Sequence, residues 1–155
     1  MTTLANRPAH QAPRRLTAEK LAAGKFITVN ILADCASIVA KPQVDPSQVI
    51  FMTDNNAGGG SQNEGQYNLQ TACSPGDTIQ WTISNANPAN GLSVTFLNMV
   101  DEGGNVFGFS PLPPPKPGAS LYQAVVQAAG TDTYQINVLV GGQVVYSWQA
   151  SVNSK

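Results

Sequence analysis

Two stretches of alternating apolar and polar residues flank the run SNANPANG and constrain the fold of this chain more than any other feature. Every second residue of each stretch in the segment 76–96 is apolar: Ile79, Trp81, Ile83, Leu92, Val94 and Phe96. A period of two is typical of β-strands that bury one face, and asparagine, proline and glycine favour a turn. The segment therefore predicts a strand pair of a β-sandwich, joined by a polar loop.

Further strand patterns follow along the chain. Residues 49–54 and 67–73 carry one each, and two longer ones at 131–140 and 143–152 are joined by a Gly-Gly pair that predicts a tight antiparallel hairpin. The total is seven or eight strands at the spacing of a sandwich. The sequence thus predicts an all-β fold over residues 26–155, a single antiparallel β-sandwich of the immunoglobulin or cupredoxin-like kind.

Two segments leave alternatives open. Residues 26–40 predict either one long first strand or a strand with a break near Asp34. Residues 121–128 fit either a helix or a strand, because alanines accompany a strand-like alternation. The proline-rich segment 106–118 predicts a crossing loop with polyproline II geometry.

Residues 1–25 form a basic arm that precedes the predicted sandwich. They contain five basic residues and one acidic residue, whereas the rest of the chain contains three lysines and eight acidic residues. Residues 16–25 predict a short helix that Thr17 caps and Gly24 ends. Two interpretations of the arm remain: a solvated tail, or a segment that docks on the acidic body of its own or a neighbouring chain.

The composition favours self-association over other functions. Only 11% of the residues are charged and the net charge is −1, so electrostatic repulsion between copies is weak. The sequence has no basic stripe and no stacking motif, so nucleic-acid binding is not predicted. No apolar stretch has the length of a signal peptide or a transmembrane helix, which predicts a cytoplasmic protein, with release by a non-classical route as the alternative.

The residues that most catalytic and redox sites need are scarce in this chain. The single histidine, His10, lies in the arm, whereas a catalytic triad needs one histidine in the body and a blue-copper site needs two. Most acidic residues stand at turn positions, where they are ordinary turn formers rather than a pair for glycoside hydrolysis. The sequence predicts a protein that is not an enzyme and has no cofactor.

The cysteines and tryptophans are expected in the core. Cys35 and Cys73 lie in apolar segments and are interpreted as buried free thiols, with a disulfide between strands as the alternative. Trp81 and Trp148 lie on the apolar faces of strands, with a sugar-stacking platform as the alternative. The aromatic residues predicted to be exposed near loops are Tyr67, Phe107 and Phe109.

Two amide-rich loops, at 55–68 and 84–90, are the candidate ligand-binding elements. Their side chains suit the hydroxyl groups of a sugar. The candidate residues are Asp54, Asn55, Asn56, Glu64, Tyr67, Asn85, Asn87 and Asn90. The first four also form an alternative calcium site, which is not an EF-hand because Gly65 stands where the bidentate glutamate belongs.

Several motifs together resemble the AidA/PixA family of bacterial inclusion-body proteins. They are FITVNIL, VIFMTDN before a glycine-rich loop, YNLQTACSPGDTIQWTIS, VFGFSPLP and TYQINVLVGGQVVYSWQASV, which together span residues 26–152. Gln149 and Ala150 depart from the Asp-Pro that members often have after the last tryptophan. The resemblance implies a cytoplasmic bacterial protein, made in quantity, that accumulates as inclusions and is linked to interaction with a eukaryotic host.

Two functional hypotheses follow. The first is a non-enzymatic, self-associating protein of the AidA/PixA kind whose surface interacts with a host or a competitor. The second is a lectin-like, multivalent carbohydrate-binding module whose valency comes from the same assembly. The partners predicted by these hypotheses are further copies of the chain, glycans or a host protein.

Overall fold

A computed structural model of the chain describes residues 24–102, 106–108 and 118–155. These residues form eight strands: β1 (Phe26–Ala33), β2 (Ile50–Asp54), β3 (Gln70–Cys73), β4 (Thr78–Asn85), β5 (Val94–Asp101), β6 (Leu121–Val125), β7 (Gly130–Val140) and β8 (Val144–Ser154). They also form two short helices, α1 (Cys35–Ala40) and α2 (Pro46–Val49), and two 3-10 turns, Ala57–Gly59 and Pro88–Asn90.

The strands form two four-stranded sheets that pack against each other through one apolar core. Sheet A has the order β2-β1-β4-β6, and sheet B has the order β3-β8-β7-β5. The predicted all-β sandwich is confirmed, with one difference in strand direction. The β1–β4 and β3–β8 pairs are parallel, so both sheets are mixed rather than purely antiparallel.

The segment after β1 breaks at Asp34, which confirms the second of the two alternatives for residues 26–40. The Asp34 carboxylate accepts hydrogen bonds from the Ser37 backbone N–H at 3.2 Å and from the Ser37 hydroxyl at 2.8 Å. This cap starts α1, and the helix buries Cys35 and Ile38 against the core. Residues 35–40 are therefore helical because a local cap outweighs their apolar, strand-like composition.

The strands on either side of the SNANPANG loop exist but do not pair with each other. β4 pairs with β1 and β6 in sheet A, whereas β5 pairs with β7 in sheet B. The prediction of a strand pair in 76–96 is therefore wrong, since the loop carries the chain from one sheet to the other. Residues 121–128, for which a helix and a strand were both possible, contain the strand β6.

The final hairpin is confirmed. β7 and β8 pair in antiparallel register from Gly130–Ser154 to Val140–Val144. Gly141 and Gly142 join them with φ values of 62° and 70°. These left-handed conformations suit glycine because it has no Cβ to clash with the backbone.

An aromatic cluster fills the centre of the sandwich. Trp81 is fully buried and makes edge-on contacts with Phe107, Tyr122 and Tyr134 at ring-centroid distances of 5.8, 6.4 and 5.5 Å. Its indole N–H donates to the Tyr134 hydroxyl at 3.0 Å, so the one polar atom of the ring is satisfied. Trp148 is also buried, which confirms the core interpretation of both tryptophans.

The aromatic residues predicted to be exposed have different surroundings. Phe107 is completely buried against Trp81, so that prediction is wrong for this residue. Tyr67 is half-buried and packs against the core. Phe109 lies outside the described residues.

Both cysteines are buried free thiols, as the first interpretation predicted. Burial raises the pKa of Cys35, and burial raises the pKa of Cys73 to about 11. Because only the thiolate is a strong nucleophile, neither residue is reactive at neutral pH.

The chain enters the sandwich through a close backbone contact at Gly24. A Cβ atom on Gly24 would lie 1.9 Å from the Gly76 carbonyl oxygen, so only glycine fits there. The next residue, Lys25, donates its backbone N–H to the Asp77 carboxylate at 2.8 Å. Residues 1–23, which include most of the predicted basic arm and its predicted helix, lie outside the described residues.

Candidate functional site

The first predicted ligand loop covers the edges of both sheets. On the edge of β2, the Met52 backbone N–H donates to the Gln66 carbonyl oxygen at 3.2 Å. On the edge of β3, Gln62 and Gln70 exchange two backbone hydrogen bonds of 2.9 Å each. Uncovered edges invite pairing with other chains, so residues 55–70 protect the fold against edge-to-edge aggregation.

Two of the predicted asparagines hold strands in place, Asn55 on β1 and Asn56 on the edge strand β3. The side-chain Oδ1 of Asn55 accepts from the Thr28 backbone N–H at 3.0 Å and extends the pairing of β2 with β1. The Asn56 amide donates to the Ala72 carbonyl oxygen at 2.7 Å, while the Ser61 hydroxyl accepts from the Ala72 N–H at 3.0 Å. These side-chain groups hold strands in place and are already engaged.

Asp54 and Glu64 form a carboxyl pair under the same loop. The Asp54 backbone N–H donates to Glu64 Oε2 at 2.9 Å, while Asp54 Oδ2 and Glu64 Oε1 are buried without a hydrogen-bond partner. Burial raises the pKa of Glu64, and the Asp54 carboxyl raises it further, against the lowering effect of the backbone hydrogen bond. Glu64 therefore loses its proton at a higher pH than an exposed glutamate does.

Replacing Glu64 by glutamine is expected to flatten the pH dependence of stability. A carboxyl whose pKa is raised on folding binds more protons in the folded state above its ordinary value of 4.5, so stability falls as the pH rises through that window. Solvent screens this partly exposed group, so the gain in the free energy of unfolding at neutral pH is below about 1 kcal/mol. Urea denaturation midpoints of the parent chain and the Glu64→Gln variant, taken between about pH 4 and pH 7, measure this pH dependence.

Glu102→Gln is the matched control, since Glu102 is an exposed carboxylate and loses the same charge. Parallel pH profiles for the Glu64→Gln and Glu102→Gln variants would contradict the assignment of the raised pKa to the Asp54–Glu64 pair. The same samples with calcium and with a chelator test the calcium alternative, because a bound cation would stabilise the parent chain but not the Glu64→Gln variant.

The second predicted loop is held together by its own amides. The Asn85 amide donates to Asn90 Oδ1 at 2.6 Å and to the Leu92 carbonyl oxygen at 3.1 Å. Asn85 Oδ1 in turn accepts from the Asn87 N–H at 3.0 Å. The asparagines of residues 84–90 thus shape the connection between the two sheets.

The two predicted loops lie at opposite ends of sheet A. Asn55 bonds to Thr28 near the start of β1, whereas Asn85 is aligned with Ala33 at its end. Five residues of extended strand separate these positions, a distance of about 17 Å. The structure therefore brings Asp54, Asn55, Asn56 and Glu64 together but keeps Asn85, Asn87 and Asn90 apart from them.

A cleft that the sequence analysis missed lies between the first loop and the outer face of sheet B. It has a volume of about 290 Å³. We call it the amide cleft, and it is lined by Gln62, Asn63, Asn68, Gln70, Thr133, Gln149, Ala150 and Ser151. Apart from the buried Ala150, the strand residues among these are polar and point outward. Their alternation with buried residues is the sequence signal that could have indicated this face.

The amide cleft is electrically neutral, since none of its lining residues is charged. The Glu102 carboxylate accepts a hydrogen bond from Gln149 Nε2 at 2.7 Å and thereby orients that amide. Asn63 forms the rim with a φ of 63°, and its side chain donates to the Asn68 carbonyl oxygen at 3.2 Å. The cleft thus presents oriented amides and hydroxyls without a fixed charge.

The outer face of sheet A is also uncharged. The alternate residues of β1, β2, β4 and β6 point away from the core, and none of the thirteen is acidic or basic. We call this surface the neutral face; it consists of Phe26, Thr28, Asn30, Leu32, Phe51, Thr53, Thr78, Gln80, Thr82, Ser84, Leu121, Gln123 and Val125. Large apolar side chains are exposed at its corners, with Phe26 at 52% and Leu121 at 44% exposure.

Within residues 24–102, 106–108 and 118–155, no three histidine, cysteine, aspartate or glutamate side chains are grouped so as to hold a metal ion. Among the same residues, neither helix has the length or apolar character needed to span a bilayer.

A family model described as "Domain of unknown function (DUF8788)" matches residues 25–146. No curated protein sequence matches the chain. The match therefore covers the sandwich from before β1 into β8, without a described activity.

A solved structure shares the architecture of this chain. The inclusion body protein PixA from Burkholderia cenocepacia J2315 superposes with a TM-score of 0.70 and 18% sequence identity, over 86% of this chain and 97% of that one. The resemblance to the PixA family is thus confirmed in the fold. Rusticyanin from Thiobacillus ferrooxidans, at 16% identity over 86% of this chain and 79% of its own, has a TM-score of only 0.34.

Proposed function

The chain belongs to this DUF8788 family, and we propose that it is a non-enzymatic protein that self-associates and accumulates as inclusions. The observation that carries the proposal is the neutral face, which offers a second copy an uncharged and partly apolar surface. The shared fold with a protein described as an inclusion body protein supports the same proposal. The biological role we propose for the assembly is interaction with a host or a competitor.

Two copies of the neutral face are compatible with each other because neither carries a charge. Like charges that meet at an interface cost several kcal/mol, and buried unpaired charges cost more. Here threonine, asparagine and glutamine side chains can donate and accept across the contact, while Phe26, Leu32 and Phe51 supply apolar area at the corners. The face is therefore suited to a second copy of itself.

The size of the neutral face indicates a weak, repeated contact rather than a permanent dimer. Its strands contain 8, 5, 8 and 5 residues, which at about 3.3 Å per residue and about 4.8 Å per strand give roughly 400 Å². A stable interface buries about 800 Å² on each partner. Inclusion formation on this account needs several weak contacts at once, and the basic arm supplies a further one.

Deletion of residues 1–24 is expected to weaken self-association. The arm is basic and the body is acidic, so the arm is proposed to dock on a neighbouring body. Size exclusion with light scattering compares the mass distributions of the full chain and the deletion variant. The same mass distribution for both chains would show that the arm does not contribute to assembly. Loss of assembly by the full chain at high salt would support an electrostatic role of the arm.

The second candidate function is that of a multivalent carbohydrate-binding module. The observation that favours it is the amide cleft, whose neutral donors and acceptors match the hydroxyl groups of a sugar. A glycan array probed with the full chain separates the two candidates. Binding to a defined group of glycans supports the second function, and silence across a broad array contradicts it.

The proposed compartment is the cytoplasm of the producing cell, with release by a non-classical route as the alternative. The low charge content supports dense packing there, since a net charge of −1 leaves copies free to approach one another. Cell fractionation that finds the protein in cytoplasmic inclusions is the expected result.

A further inference from the structure

We propose that the amide cleft is a binding site for a neutral saccharide of one or two sugar rings. The assignment rests on the second candidate function and gives it a location. It also moves the site away from the predicted asparagines of residues 84–90, whose amides are engaged within their own loop.

The cleft is preformed because the loop that forms one of its walls is fixed at both ends. The Gln62–Gln70 pair closes the loop with two backbone hydrogen bonds of 2.9 Å. Leu69 is completely buried, and its carbonyl oxygen accepts from the Ser151 N–H of β8 at 3.1 Å. Because this wall is already ordered, ligand binding does not carry the entropic cost of ordering it.

Several side chains in the cleft have hydrogen-bond donors and acceptors that are available to a ligand. Within the described residues, the side chains of Gln62, Gln70, Thr133 and Ser151 make no hydrogen bond to another part of the chain. An amide offers two N–H donors and one carbonyl acceptor, and each hydroxyl both donates and accepts. Sugar hydroxyls have the same dual character, so each can be bonded in both directions here.

The charge and size of the cleft narrow the ligand class. With no charged lining residue it offers no ion pair to a phosphate, a carboxylate or an ammonium group. Its volume of about 290 Å³ lies just below the range of about 300–1,000 Å³ that is usual for ligand pockets. A compact, neutral, hydroxyl-rich molecule fits both limits.

An extended peptide fits the cleft less well than a saccharide. A peptide that binds by strand addition needs a free sheet edge. The nearest edge is that of β3, where Gln70 is paired with Gln62 and the Ala72 N–H and carbonyl are bonded to Ser61 and Asn56. The backbone of a peptide therefore finds no unpaired partner along this strand.

The affinity of a single cleft is expected to be low. No lining residue is aromatic, so the stacking contact that strengthens many sugar sites is absent from the cleft. A dissociation constant of about 1 mM or weaker is expected for a monosaccharide. Assembly of many copies through the neutral face would convert this weak affinity into avidity.

Saturation-transfer NMR on the full chain tests the proposal with glucose, galactose, mannose, N-acetylglucosamine and lactose as probes. The binding variant is Gln70→Ala, and the control is Gln143→Ala, an exposed glutamine in the turn between β7 and β8, outside both the amide cleft and the neutral face. At least one sugar is expected to bind, and Gln70→Ala is expected to weaken it about 5- to 10-fold, the effect of one or two lost hydrogen bonds. Gln143→Ala should leave the affinity unchanged.

Thr133→Val gives a second test that removes only one hydroxyl group from the wall. It is expected to weaken the same sugar in the same direction, with an unchanged circular dichroism spectrum. No saturation transfer to any probe up to about 50 mM overturns the proposal. Equal affinity in the parent, Gln70→Ala and Thr133→Val chains also overturns it, although a positive glycan array would then leave the second candidate function standing with its site elsewhere.

Discussion

Replacement of Trp81 by alanine is expected to lower the free energy of unfolding by about 3–5 kcal/mol. The ring is fully buried among Phe107, Tyr122 and Tyr134, so its loss leaves a cavity at the centre of the sandwich. It also removes the N–H that the Tyr134 hydroxyl accepts at 3.0 Å. Urea denaturation, followed by circular dichroism, measures the change as a shift of the midpoint.

Two further variants separate packing from hydrogen bonding in this prediction. Tyr134→Phe keeps the rings but leaves the buried indole N–H without an acceptor, so a smaller loss of about 1–3 kcal/mol is expected. Val145→Ala is the control, because Val145 is 62% exposed and surface changes are usually within about 0.5 kcal/mol. A loss below about 1 kcal/mol for Trp81→Ala would show that the cluster is not the centre of the core.

The double replacement Gln80→Lys and Thr82→Lys is expected to weaken self-association about 100-fold. Both residues point outward from β4, a central strand of the neutral face, and are half-buried. Two facing copies would bring four lysines together, and such like-charge contacts cost several kcal/mol. Concentration-dependent light scattering or sedimentation equilibrium gives the dissociation constants.

The matched control places two lysines on the opposite sheet, as Thr131→Lys and Val145→Lys. Both of these residues are exposed on the outer face of sheet B. Either double variant changes the net charge from −1 to +1, so its magnitude stays the same. Equal weakening by both variants would point to a general charge effect, and no weakening by the first would exclude the neutral face as the contact.

The strands could be predicted because their signal is local. In β4, Ile79, Trp81 and Ile83 are buried, as their alternation with polar residues indicates. The same alternation says nothing about which strand lies alongside. The parallel β1–β4 pair and the placement of β4 and β5 in different sheets depend on contacts between residues far apart in the sequence.

The helix after Asp34 shows how a short cap outweighs composition. The apolar run CASIVA suggests a strand, but the Asp34 carboxylate binds both the N–H and the hydroxyl of Ser37 and starts a helix there. An aspartate three residues before a serine is a local capping signal, so this element was within reach of the sequence. The burial of Phe107 could not be predicted in this way, because it depends on contact with Trp81, which lies far from it in the sequence.

The candidate site was predicted only in part. The loop at 55–68 does contribute Gln62, Asn63 and Asn68 to the amide cleft, although the asparagines chosen from composition are engaged in holding β1 and β3. The other wall comes from Thr133, Gln149 and Ser151, which meet the loop only after β7, β8 and β3 have paired. Composition can indicate an amide-rich surface but cannot show which amides remain unpaired.

The solution mass of the unmodified full chain is the most direct test of the proposed self-association. The monomer has a mass of 16.3 kDa. Sedimentation equilibrium from about 1 µM to about 1 mM spans the range expected for weak and moderate contacts. The account predicts an average mass that rises with concentration above the monomer value, whereas a mass of 16.3 kDa throughout would contradict it.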